Sequence, residues 1–162
     1  MLTQAVVCYP TKDDKVLLGI RKSSSTDLGL NLIAGFGGKV GDHEEFAKES
    51  IEDALIRELK EELNITLTSY THRGSVTFLF PNKPKWSMQT QIYVTSEWEG
   101  EPTETESMKP EWFEMRNLPS SQMWEDNQYW VPLVLRGKNI EAIFVYNDDN
   151  KTLKDKRVNI LV

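Results

Sequence analysis

The stretch Gly37–Ile65, GGKVGDHEEFAKESIEDALIRELKEELNI, decides how this chain is read. A glycine pair runs into an acidic connection and then into strong helix formers, which predicts a strand, a long loop and a helix over Ser50–Leu63. Asn64 is suited to end that helix, because Asn tolerates left-handed backbone. At about 100° per residue, Leu55, Ile56, Leu59 and Leu63 fall on one face, read as the buried one. Glu58, Glu61 and Glu62 share another face by their i, i+3, i+4 spacing. Carboxylates this close repel, each like-charged pair costing roughly a few tenths of a kcal/mol on an exposed helix. Two readings are open. The acids form a solvated face on which Arg57 and Lys60 make ordinary ion pairs, or they hold a hard divalent cation such as Mg²⁺, which takes carboxylate oxygens, waters and phosphates.

Outward from this stretch, Leu2–Tyr9 is β-rich and reads as a strand ending at Pro10, followed by a turn in TKDDK and a second strand from Val16. RKSSSTDLGLN is loop-like, and LIAGFGGKV is a short apolar strand running into glycines. GFGGKVG has neither the dinucleotide-binding spacing nor that of a P-loop. Ser69–Phe80 and Trp86–Ser96 read as a long hairpin across PNKPK, and EWFEM as a short strand. Ser120–Leu135 reads as a second helix interrupted by Pro132 and stopped by Gly137. NIEAIFVY and RVNILV pair across NDDNK. Without repeats or a linker, the fold class is α/β (α+β): one domain over 1–162, a mixed sheet flanked by helices.

The 162 residues suffice for one compact core. A formal net charge of -6 argues against sequence-independent nucleic-acid binding, which needs a basic surface, but leaves room for a small anionic ligand carried by a cation. One cysteine, Cys8, excludes an intrachain disulfide and fits a reducing compartment. Lying in an apolar run, it is read as packing rather than as a nucleophile. Neither a signal peptide nor an apolar run long enough to span a membrane is found, so a cytoplasmic location is expected. His43 and His72 are isolated, and no Cys/His spacing points to zinc.

Taken together, a glycine-ended strand, a loop, a Glu, seven residues and Arg-Glu-apolar-x-Glu-Glu resemble the signature of the Nudix hydrolases. Gly38 matches its first glycine, Glu49 the lone Glu, Arg57 and Glu58 the pair, and Leu59, Glu61, Glu62 and Ile65 the remainder. Two departures stand out: the gap from Gly38 to Glu49 is longer than usual, through an enlarged loop 39–48, and Asn64 replaces a Gly. A longer loop adds little closure entropy. The resemblance implies a Nudix-type α/β/α sandwich. It implies Glu58, Glu61 and Glu62 as ligands of Mg²⁺ (or Mn²⁺), with the Gly38 carbonyl joining them. Arg57 would orient these carboxylates, and Glu49 would pair with Arg57 structurally.

VLLGIRK, GFGGKV, MKPEWFEM and MWEDNQYWVPLVL carry the similarity further, to the MutT-related members of the family that cleave oxidised purine nucleoside triphosphates such as 8-oxo-dGTP to a monophosphate and pyrophosphate. That similarity implies Trp124 stacking on the purine and Asp126 and Asn127 reading its edge. It implies pocket walls from Thr3, Arg21, Phe78, Met88 and Met108, with Phe36, Gly37 and Lys39 also at the substrate. The pattern is altered in three places. Ala34 stands where an Asn contacts the base, Asn127 replaces a second Asp, and Ser107 replaces an acid whose neighbours here are Glu104 and Glu106. Read without the resemblance, MWEDNQYWVPL is helix packing. Two alternatives remain: a Nudix hydrolase of another substrate (an ordinary dNTP, a dinucleotide or a triphosphorylated RNA end), and a non-catalytic nucleotide-sensing domain.

Overall fold

The computed structural model describes residues 2–22, 31–41 and 44–162. Among the described residues nine strands form a mixed sheet with helices on both faces. The strands are β1 (Thr3–Lys12), β2 (Lys15–Arg21), β3 (Ile33–Ala34), β4 (Phe36–Lys39), β5 (Thr66–Leu79), β6 (Met88–Glu99), β7 (Met108–Glu114), β8 (Asn139–Tyr146) and β9 (Leu153–Leu161). The helices are α1 (Ile51–Leu63) and α2 (Asn127–Leu135). The main path runs β3-β2-β1-β6-β5-β8-β9, with β4 on β1 and β7 on β2. β1 with β6 and β5 with β8 are the parallel pairs.

Alternation along β1 builds two cores. Val6 and Cys8 face α1 and pack with Leu55, Leu59 and Leu63. Tyr9 faces the other way and packs with Trp130, Val131 and Val134 of α2. The sheet is thus sandwiched, as expected, and Cys8 is fully buried.

Several elements differ from the sequence reading. β1 continues through Pro10 to Lys12. Pro10 lies between Cys8, the last residue paired to β4, and Thr11, the first paired to β2, a break in the ladder that tolerates a missing N–H. β7 is longer than EWFEM and pairs along its whole length with β2 alone, an edge position that accommodates Pro110. The second helix begins only at Asn127, because Ser120–Gln122 is a separate 3₁₀ turn and Met123 is extended. It then runs through Pro132 without stopping, held by its buried Trp130, Val131 and Val134.

α1 is where expectation and structure agree best. Ser50 caps it, its hydroxyl accepting from the Asp53 amide at 3.0 Å. Asn64 ends it at φ 61, the left-handed conformation anticipated, and donates its amide to Lys60 O at 2.9 Å. Its buried face is rotated from the one expected. Ile56 is 36% exposed, whereas Glu58 and Glu62 are buried beside Leu55, Leu59 and Leu63. The glycine strand β4 covers that side of the helix and leaves Ile56 to solvent.

Candidate active site

Arg57 organises the acids of α1. Its Nε and Nη2 donate to the two oxygens of Glu49 at 3.0 and 2.6 Å, a planar two-point pair. Nη1 donates to Glu58 Oε1 at 3.0 Å and to Glu61 Oε2 at 3.2 Å, and Nη2 also reaches Lys39 O at 3.2 Å. Hydrogen bonding to Arg57 holds the Glu49 carboxyl below its ordinary range, and Glu49 in turn pushes the guanidinium further up.

Glu62 faces inward. Its Oε1 accepts the Gly37 amide at 2.8 Å. Burial pushes its pKa up to about 7, with the charges of Glu58 and Glu61 adding to the rise and Arg21 and the Gly37 amide opposing it. Gly38 leaves room for an acid of the helix: a Cβ there would stand 2.5 Å from Glu58 Oε1. Among the described residues no three acidic, His or Cys side chains already converge into a cation cage. What the site offers a divalent cation is a clustered, oxygen-only donor set beside a cradle that a Cβ would fill. A buried carboxylate resisting ionisation belongs to the same set. Those residues fit a hard cation.

Beside these acids, on the α2 side of β1, lies a cleft of about 340 Å³. Arg21, Gly37, Gly38, Lys39, Phe78, Met88, Trp124 and Asn127 line it, so most of the expected substrate residues converge on one concavity. Trp124 is braced edge-on by Phe80 and Tyr146, their centroids 6.3 and 5.8 Å away. Asn127 is positioned by its neighbour, its Nδ2 donating to Asp126 Oδ2 at 2.9 Å. Ala34, at the altered position, is also in the lining.

Four expected residues lie elsewhere. Phe36 and Met108 are fully buried in the α1-side core, where both crowd Gly19, and have no surface to give a ligand. Register is the cause: Phe36 of β4 pairs with Cys8 of β1, so its ring lies on the α1 face of the sheet with Cys8. Thr3 pairs with Met88 in register but is not part of the lining. Asp126 is 2% exposed beneath the cleft, where it accepts from Trp130 Nε1 at 2.8 Å, from Asn127 and from the Tyr146 hydroxyl. It supports Asn127 rather than meeting the cleft itself. Burial raises its pKa in spite of those three donors.

The sequence reading missed Tyr9, Thr90 and Trp130 in the lining and Tyr146 beneath it. Trp130 had a signal, its i+4 spacing from Asp126. Tyr146 comes from the last hairpin and had none. Near the altered Ser107, Glu104 is taken up by Lys22 at 2.6 Å, and Thr105 Oγ1 donates to Glu62 O at 3.0 Å, tying this loop to the end of α1. His72 Nε2 pairs with Gln91 Oε1 at 2.7 Å, and His43 lies outside the described residues.

A sandwiched mixed sheet, a glycine strand against a Glu-rich helix and an Arg-centred acid cluster together define the Nudix fold and its motif, and the NUDIX domain model matches residues 1–134: the chain belongs to the Nudix family. Within it, the chain is 34% identical over 153 residues to the oxidized purine nucleoside triphosphate hydrolase of Mus musculus, covering 94% of this chain and 90% of that one. It is likewise 34% identical to the enzyme of the same name from Danio rerio, with 96% and 92% covered. A MutT protein from Bacillus halodurans shares the fold at a TM-score of 0.79 and 22% identity, over 98% of each chain. Hydrolases of this family generally need a divalent metal ion. No helix among the described residues is long and apolar enough to cross a membrane.

Proposed function

We propose that this protein is a metal-dependent pyrophosphohydrolase of oxidised purine nucleoside triphosphates, such as 8-oxo-dGTP, working with Mg²⁺ or in its place Mn²⁺ on the cytoplasmic nucleotide pool. The observation that carries the reading is the juxtaposition of the α1 acids with a cleft walled by Trp124 and Asn127. The near-full-length similarity to two hydrolases of that name supports it.

The residues divide the work by chemistry. Trp124 offers an aromatic plate to a purine, and Asn127, steadied by Asp126, an amide to the base edge. Arg21 and Lys39 bring positive charge to the lining next to Gly37 and Gly38, suited to phosphate oxygens. Glu58, Glu61 and Glu62 would hold the cation, and Arg57, fixed by Glu49, sets the carboxylates of Glu58 and Glu61. The bound metal supplies charge neutralisation at phosphate and a positioned water. Water adds across one phosphoric anhydride, whose P–O bond breaks to give monophosphate, pyrophosphate and a proton.

The deciding experiment is a substrate panel with product identification: oxidised and ordinary dNTPs, ADP-ribose, dinucleotides and triphosphorylated RNA. Monophosphate plus pyrophosphate from 8-oxo-dGTP at low concentration is the expected result. Turnover confined to ADP-ribose or dinucleotides would overturn it, and binding without turnover of any member would assign a sensing role.

A further inference from the structure

The described residues of the enlarged loop before α1, 39–41 and 44–48, make local contacts of their own. Glu44–Phe46 forms a 3₁₀ turn, and the Glu49 amide donates to Phe46 O at 2.9 Å. Gly41, at φ +66, donates its amide to Glu49 Oε1 at 2.8 Å. One carboxylate therefore closes the loop and grips Arg57. The turn delivers the Phe46 ring over the guanidinium, 4.5 Å from ring centroid to Cζ. In its plane Arg57 is already surrounded: Glu49 takes one edge, Glu58 and Glu61 another, and Lys39 O a further N–H. Phe46 adds an aromatic face against the guanidinium carbon.

We infer that Phe46 is a positioning residue of the active site, and that the enlarged loop serves to place its ring on Arg57. The inference rests on the proposed hydrolase reading only in its kinetic arm. A planar guanidinium stacks on an aromatic face through its charge and its flat, weakly hydrated surface. Five in-plane donors alone leave the group free to rock out of plane. A ring on one side resists that motion and keeps water from that face. Through Arg57 the effect reaches Glu58 and Glu61, whose spacing the guanidinium sets. Phe46 is not among the residues that line the cleft, so its influence belongs on the chemical step and not on binding.

The test compares Phe46→Ala, Phe46→Leu and Phe46→Trp, each alone and combined with Arg57→Lys, in the full chain. With 8-oxo-dGTP, Ala and Leu are expected to lower kcat about fivefold to tenfold, as a cation–π contact of this kind allows, with KM within about twofold. Trp is expected to restore kcat. In the Arg57→Lys background, where no planar fork remains, Phe46→Ala is expected to change kcat by less than about twofold. The same cycle read by thermal unfolding, without substrate or metal, is expected to be non-additive in Tm. Full activity in Phe46→Leu would reduce Phe46 to apolar filling and overturn the inference, as would a rise in KM without a fall in kcat. If the wild-type protein turns over no nucleotide, the proposed function falls and the unfolding cycle alone decides: non-additive shifts uphold the Phe46–Arg57 coupling, and additive shifts refute it.

Discussion

The Gly37 amide donates to Glu62 Oε1 at 2.8 Å, joining the cleft-lining strand β4 to the acidic helix α1. One hydrogen bond thus couples the wall that a substrate would touch to a carboxylate that a cation would use. It also leaves Glu62 buried among like charges, and pH should expose this. The folded-state pKa of about 7 lies above the ordinary 4.5, so the protonated form is favoured by folding. The associated stability is present below the ordinary value and is lost as pH rises from about 4.5 towards 7. In chelator, Glu62→Gln should therefore gain on the wild type across that interval, by up to about 3 kcal/mol, and the gap should be flat above it. Urea unfolding at a series of pH values measures it. A gap that does not change with pH would remove Glu62 as the source.

Metal-dependent turnover should depend on carboxylate charge rather than shape. Glu61 is half exposed and Glu62 buried, and Gln keeps the shape of Glu at either place. Both Glu61→Gln and Glu62→Gln should nevertheless lose turnover by about 100-fold or more, with circular dichroism unchanged, because each removes a charged oxygen donor from a hard cation. Pyrophosphate release at the wild-type rate in both variants would refute the metal assignment.

At the other wall, Trp124 should be read in binding. Removing the aromatic plate with Trp124→Ala is expected to weaken binding of an oxidised purine nucleotide by ~1–3 kcal/mol. Because Trp124 also rests on Phe80 and Tyr146, some stability goes with it. Trp124→Phe, which keeps a plate, separates the two effects in a KM measurement. An unaltered KM in the Ala variant would displace the base from this wall.

Asp126 should behave as a structural anchor first. Asp126→Ala leaves the Tyr146 hydroxyl and the Trp130 indole N–H without their acceptor, at a cost of about 2–5 kcal/mol in unfolding free energy. It also releases the Asn127 amide, so KM should rise in whatever folded protein remains. A stability loss below about 0.5 kcal/mol in urea unfolding would contradict this role.

The acid motif was legible because its geometry is local. An i, i+3, i+4 spacing on a well-formed helix brings Glu58, Glu61 and Glu62 together whatever packs against it. Capping by Ser50 and the left-handed Asn64 were local as well. Where a choice depended on a distant partner, sequence was silent or misled. Periodicity put Ile56 inside, yet β4 packs on the Glu58–Glu62 side and leaves Ile56 exposed. Similarity put Phe36 and Met108 at the substrate, yet the pairing of β4 with β1 sets Phe36 beside Cys8, and both Phe36 and Met108 are buried in the α1-side core.

The enlarged loop teaches the same lesson from the other direction. In sequence it is only extra length, while in the fold Phe46 lies over Arg57 and Glu49 closes the loop on Gly41. What sequence determined by itself was the clustering of the acids, since like-charged carboxylates on one helix turn follow from residue spacing alone. Which residues line the cleft, which Asp stands behind it and what the loop holds were decided by tertiary structure. Each depends on contacts between residues far apart in the chain, such as Asp126 with Tyr146, that only packing brings into reach.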